Sequence, residues 1–356
     1  MKNSSNTIIN LILTKLRDTP DHCLSTRCTE PYYTDFFEYI EEMIATDNFT
    51  NAKSICQKLR IGSKYDRSAY LQGVSEIVLQ FFATHAHLVY SVDKKLKAAS
   101  DGYDVDLQIV DQRFTYNLEI KTPTIYATPA GQLNAEILFR TTDKETVQKE
   151  KRVLQDNFLD AIIKNCNGKY DIAQFKKNND TKVLTYLESC QKKFVLSTTD
   201  SINVLVLSVP TQDMLSYWTY LYNGYSGIFT PAFNGSYCHK NGQPFLANEI
   251  NATDVIYLTN IPSGHLRSNS AIKPWDLRTY CSLLCVNPHS PKTLRSTDRA
   301  IYDNLHKLLP NCTSEFEKGY ESITTKDPYI HLVESTLYIA GFIENKFPYS
   351  DKLEFL

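Results

Sequence analysis

Residues 101–123, DGYDVDLQIVDQRFTYNLEIKTP, constrain the fold of this chain more than any other stretch. Two strand-like runs, VDLQIV and YNLEIK, flank a polar turn around Asp111–Arg113. Successive side chains of a strand point to opposite faces. Period two therefore puts Asp104, Asp106 and Gln108 on one face of the first run. It puts Asn117, Glu119 and Lys121 on one face of the second, and the opposite face of both runs is apolar. Paired as a hairpin, the runs gather an Asp, a Glu and a Lys at one end of a sheet. Such a trio can hold Mg²⁺ and a reactive water near a phosphate. Asp104 is the reserve for Asp106, because a slip of two residues keeps the same face.

The flanks alternate helix and strand. Ser68 is placed to cap a helix over 69–85, whose apolar stripe is Val74, Ile77, Val78, Phe81 and Phe82. Gly73, Glu76 and Gln80 form a second, polar stripe, which on most helices is the wet face. His87–Val92 reads as a strand, and Thr122-Pro123 ends the second motif strand because proline lacks the ladder donor. Residues 131–165 read as helical, with Gln132, Glu136 and Arg140 at four-residue steps. A helix over 182–193 and a buried strand over 202–210, INVLVLSVP, follow.

The order Asp106, a twelve-residue spacer, then Glu119-Ile120-Lys121 resembles the PD-(D/E)xK nuclease superfamily of restriction endonucleases, junction resolvases and RecB-type nucleases. The surrounding helix, strand, Asp strand, ExK strand, helix and apolar strand suit it. The Pro that often precedes the Asp is absent, and Val105 stands there. The resemblance implies an α/β, restriction-endonuclease-like mixed sheet flanked by helices over 67–210. A helical N-terminal extension over 1–66 and an α+β C-terminal elaboration over 211–356 would complete the chain. It implies Asp106 and Glu119 as Mg²⁺ ligands, with the Ile120 carbonyl as a third and Mn²⁺ as a possible substitute. Lys121 would orient the attacking water, and Glu76 would hold a second ion or a metal-bound water. Gln132 would lie near the substrate. The activity implied is endonucleolytic hydrolysis of DNA, with RNA not excluded, by a restriction-type or phage-defence effector. A homodimer and an accessory protein are the partners such enzymes suggest. The alternatives are an inactive nucleic-acid-binding or assembly protein of the same fold, and a structural protein whose hairpin charges are only solvated.

Composition narrows the rest. The chain has 356 residues, 42% hydrophobic, enough for a sizeable core. A net charge of −2 gives no global pull toward nucleic acid, so phosphate contacts must come from local patches. Lys94, Lys95 and Lys97 beside the site, and Lys149, Lys151 and Arg152 later, are candidates; alone, each reads as a solvated face. No apolar run has membrane-span length, and the N-terminus reads as an amphipathic helix over 6–17 rather than a signal peptide. Further helices are expected over 34–46, capped by Thr34 or Asp35, and 50–60. The expected location is cytoplasmic, with all nine cysteines reduced. Cys281, Cys285 and His289 fall at helical spacing and Cys238 adjoins His239, but neither set has zinc-knuckle spacing; buried thiols explain them better. The aromatic stretch from Met214 to Phe233 is expected to pack rather than stack on bases. A strand over 254–260 leads into a loop carrying His265 and Arg267, taken as substrate contacts. Helices near 296–309 and 328–347 close the chain.

Overall fold

The run at 201–208 is buried from Ile202 to Ser208, with a strand on either side of it in a mixed sheet flanked by helices. The computed structural model describes residues 2–46, 52–96, 104–123, 136–139, 174–177, 180–223, 227–234, 237, 239, 243–266, 273–292, 298–325 and 328–346. Its strands are β1 (Val89–Lys95), β2 (Asp104–Asp111), β3 (Phe114–Lys121), β4 (Glu136–Phe139), β5 (Gln174–Lys177), β6 (Ser201–Ser208), β7 (Val255–Thr259) and β8 (Ser282–Val286). Six of them form one mixed sheet in the order β1-β2-β3-β6-β7-β8. The β1-β2-β3 meander is antiparallel, β3-β6-β7 is parallel, and β8 returns antiparallel. β4 and β5 pair with each other in parallel. Residues 136–139 were expected to be helical; the quartet EILF is short enough to satisfy either period, and pairing with β5 decides for strand.

Among the described residues the chain opens with four helices: α1 (Lys2–Arg17), α2 (Cys23–Thr26), α3 (Pro31–Ala45) and α4 (Ala52–Lys58). The long α5 (Arg67–His85) follows them, and α6 (Asp180–Lys193) leads into β6. The remaining helices are α7 (Thr211–Tyr222), α8 (Ile261–Leu266), α9 (Arg299–Leu308), α10 (Thr313–Tyr320) and α11 (Pro328–Lys346). None of the described helices is long and apolar enough to cross a membrane.

Two helix caps differ from expectation. Helix α3 begins at Pro31, ahead of Thr34 and Asp35, because a proline at the first position loses only a donor that had no helical partner. The α5 cap is Asp66, whose Oδ1 accepts from the Ala69 amide at 2.7 Å, rather than Ser68. The α5 end also delays β1. His87 has φ 54°, and its amide and that of Leu88 bond back to the Thr84 and Ala83 carbonyls. This left-handed closing turn cannot belong to a strand, so β1 starts at Val89 rather than His87.

Buried side chains from Ile12 to Ile343 belong to a single cluster, so the N-terminal helices and C-terminal elements share the core of the sheet. Trp275 is the largest of them. It is fully buried against Tyr32, Phe36, Phe81 and His265, and its indole N–H donates to the Tyr32 carbonyl at 2.8 Å. The aromatic helix α7 packs as expected, with Trp218 against Phe316 and Tyr320. Trp275→Ala should lower unfolding free energy by about 3–5 kcal/mol, with Trp275→Phe losing less, as read by urea denaturation.

Candidate active site

The β2–β3 ladder runs from Asp111↔Phe114 to Leu107↔Leu118, and one further step sets Asp106 opposite Glu119. There β2 leaves the ladder, and the Asp106 side chain takes over as acceptor: its Oδ2 receives the Ile120 amide at 2.7 Å. Glu119 is fully buried. Its Oε1 contacts the Lys121 ammonium at 2.5 Å and the Lys193 ammonium at 2.6 Å. Its Oε2 is buried with no hydrogen-bond partner. The same face continues as a polar ladder, in which Gln108 donates to Asn117 at 2.8 Å and Asn117 to Asn203 at 2.9 Å. The opposite face, Leu107, Ile109, Leu118 and Ile120, is buried as period two requires.

Helix α5 reaches this end of the sheet through its polar stripe, which is buried rather than wet: Gly73, Glu76 and Gln80 all lie inside. Gln72 clamps the stripe to β3. Its Oε1 accepts from the Thr122 amide at 2.8 Å, and its Nε2 donates to the Ile120 carbonyl at 3.1 Å and to Glu76 Oε1 at 3.2 Å. The Ile120 carbonyl thus keeps one lone pair for a further partner. Ser75 joins Ser208 at 2.8 Å and receives Thr122 Oγ1 at 3.0 Å, fixing α5 to the ends of β3 and β6.

These contacts set the electrostatics. Burial first, then the charges of Glu119 and Glu76, push the Asp106 carboxyl up to about 7, against the Ile120 amide and Lys121. Burial works against the Lys121 charge, but Glu119 and Asp106 outweigh it and hold the ammonium above the usual lysine range.

Sequence reasoning missed four participants. Lys193, at the end of α6, lies 74 residues from Glu119, and no local pattern links them. Gln72 precedes Glu76 by one helical turn, so four-residue spacing does point to it. Lys58, ending α4, pairs with Glu76 Oε2 and lies 3.4 Å from Asp93 Oδ1. Asp93 sits in register opposite Asp106, between Val92↔Leu107 and Lys94↔Val105, with φ 51° and a half-exposed side chain.

The other expected site residues scatter. Lys94 and Lys95 are exposed on the edge strand β1. Asp104 pairs with Lys95 in register, so Asp106 rather than Asp104 faces Glu119. Gln132, Arg267, Lys97, Lys149, Lys151, Arg152 and Cys238 lie outside the described residues. His265 is not in a loop and does not reach solvent. It sits on α8, 4% exposed, with Nδ1 2.7 Å from the Tyr32 hydroxyl and Nε2 2.8 Å from the Pro274 carbonyl. Burial pushes it down to about 3, so it is a neutral packing histidine. Cys281 and Cys285 are buried at and within β8, not at helical turns, and His289 Nε2 meets the Ile228 carbonyl at 2.7 Å.

Among the described residues no three His, Cys, Asp or Glu side chains stand close enough to hold one ion by themselves. The pair Asp106 and Glu119 still suits a hard cation. Mg²⁺ commonly binds through one or two carboxylates and keeps several waters. A fully buried carboxylate oxygen without a partner is the acceptor such an ion would satisfy. No family model, curated protein or solved structure matches this chain.

The raised Asp106 carboxyl binds its proton more tightly folded than unfolded, so its contribution lowers stability as pH rises from about 4 to about 7. Asp106→Asn should therefore stabilise the metal-free protein by roughly 2 kcal/mol at pH 8, with the gain shrinking toward pH 4, in urea titrations at both pH values.

Proposed function

We propose that this protein is a Mg²⁺-dependent phosphodiesterase that hydrolyses nucleic acid, DNA in the first instance. The bare, buried Glu119 Oε2 opposite Asp106, with the Lys121 ammonium on the same carboxylate, carries the reading. The order α5-β1-β2-β3, then the β4–β5 pair, then α6-β6, supports it, since the PD-(D/E)xK resemblance implies a helix and a strand before its Asp and ExK strands and a helix and an apolar strand after them.

Asp106, Glu119 and the free lone pair of the Ile120 carbonyl would hold the ion, which supplies Lewis-acid stabilisation of the phosphate when bound. This chain's own residues do the rest. Lys121 carries a fixed positive charge beside the ligand set, where it can orient a water and offset charge building on the phosphate. Gln72 fixes the Ile120 carbonyl and Glu76 relative to each other. Lys193 fixes the Glu119 rotamer from the α6 side. Exposed Lys94 and Lys95 flank the same end of the sheet and offer phosphate contacts to incoming substrate. A restriction-type or defence role, a homodimer and an accessory partner are the settings in which such an activity is proposed to act.

The inactive alternative draws on the same ammonium pairs, which neutralise Glu76 and Glu119 without any metal. Cleavage of plasmid, single-stranded DNA and RNA with Mg²⁺, Mn²⁺ or chelator separates the two. Metal-dependent cleavage is expected for the wild type. Lys121→Ala should lose at least about 10²-fold in rate while retaining substrate binding. A Lys121→Ala protein that cuts at the wild-type rate would overturn the assignment.

A further inference from the structure

We infer that Lys58 is a built-in substitute for a second divalent cation, so that the site takes one metal ion and not two. This rests on the nuclease reading of Asp106, Glu119 and Lys121. The Lys58 side chain is only 17% exposed, and its ammonium lies between the α5 carboxylate of Glu76 and Asp93 of β1, where a second cation would otherwise have to balance these acids. It pairs with Glu76 Oε2, lies 3.4 Å from Asp93 Oδ1, and feels the charge of Asp106. Lys58 thereby offsets one of the two negative charges of Glu76 and Asp93 from within.

The position is built, not incidental. Helix α4 ends in a left-handed turn at Arg60, φ 61°, with the Ile61 amide bonded to the Cys56 carbonyl at 2.8 Å and the Arg60 amide to Gln57 at 3.2 Å. The buried His22 ring caps the adjacent α2 through Nδ1 and donates Nε2–H to the Leu59 carbonyl at 2.7 Å. Gly73 opens a notch on α5: a Cβ there would collide with the Lys58 carbonyl. Glu76 stands one turn further along the same stripe. Backbone, cap and notch together deliver the Lys58 side chain to Glu76.

Charge balance favours a single ion. Glu76, Asp93, Asp106 and Glu119 oppose Lys58, Lys121 and Lys193, leaving one formal negative charge. One divalent ion and one phosphodiester bring the cluster to neutrality. A second ion would leave two uncompensated positive charges in a largely buried site, where charge is costly.

Mn²⁺ binding to the full-length protein, followed by electron paramagnetic resonance and calorimetry, tests this. The wild type and Lys58→Arg should bind one ion, and Lys58→Met should bind two. Two ions in the wild type, or one in Lys58→Met, would overturn the role of Lys58 while leaving the catalytic reading intact. No ion in any variant would overturn both. Should Lys58→Met fail to fold by circular dichroism, Glu76→Gln decides: Mn²⁺ affinity within about threefold of wild type supports the inference, and any larger loss refutes it.

Discussion

The buried carboxylate of Glu119 is the constraint around which this end of the molecule is organised. An ionised carboxylate away from water is costly unless paired. Period two and the β2–β3 register bring it under the sheet surface, and the flanking strands leave it no solvent. Two ammonium groups then converge on one oxygen, from β3 itself and from the end of α6, and the other oxygen is left bare. A purely structural ion pair gains most when both oxygens are satisfied. Under the proposed function a ligand would complete the shell at the open oxygen.

The N-terminal helices belong to this cluster as well as to the core. Trp275 and His265 lock α3 from the C-terminal side, and His22 with the Gly73 notch locks α4 against α5. Glu76 is held on both oxygens, by Lys58 from α4 and by Gln72 from its own helix. Segments far apart in sequence thus meet at one carboxylate-rich end of the sheet. A fold of this class can serve many duties, so function depends on that cluster and not on the strand order.

Much of this was legible in the sequence where local periodicity sufficed. The alternation in 104–121 showed which faces of β2 and β3 are polar, and the apolar stretch Val204–Leu207 marked β6 as central. The Gly73, Glu76, Gln80 stripe was visible, but its burial was not, because a polar stripe looks the same whether it meets water or a neighbouring lysine. Lys58 and Lys193 had no sequence signal: their roles come from tertiary packing across 18 and 74 residues. His265 misled for the reverse reason. A histidine after a strand suggests an exposed loop, yet burial and two hydrogen bonds make it part of the core.

The same compression links protonation to ligand binding. Asp106 shares its surroundings with Glu119 and Glu76, and their charges together with burial keep its proton to near neutrality. A divalent ion reverses that balance, since a cation favours the ionised carboxylate and competes with the proton for it. Lys121 and Lys58 soften the repulsion without removing it, because both are already engaged with the neighbouring glutamates. Metal affinity in this site should therefore climb through the pH range in which Asp106 ionises. The proton and the ammonium groups are two solutions to one electrostatic problem, and under the proposed function a divalent cation would be a third at the same carboxylates.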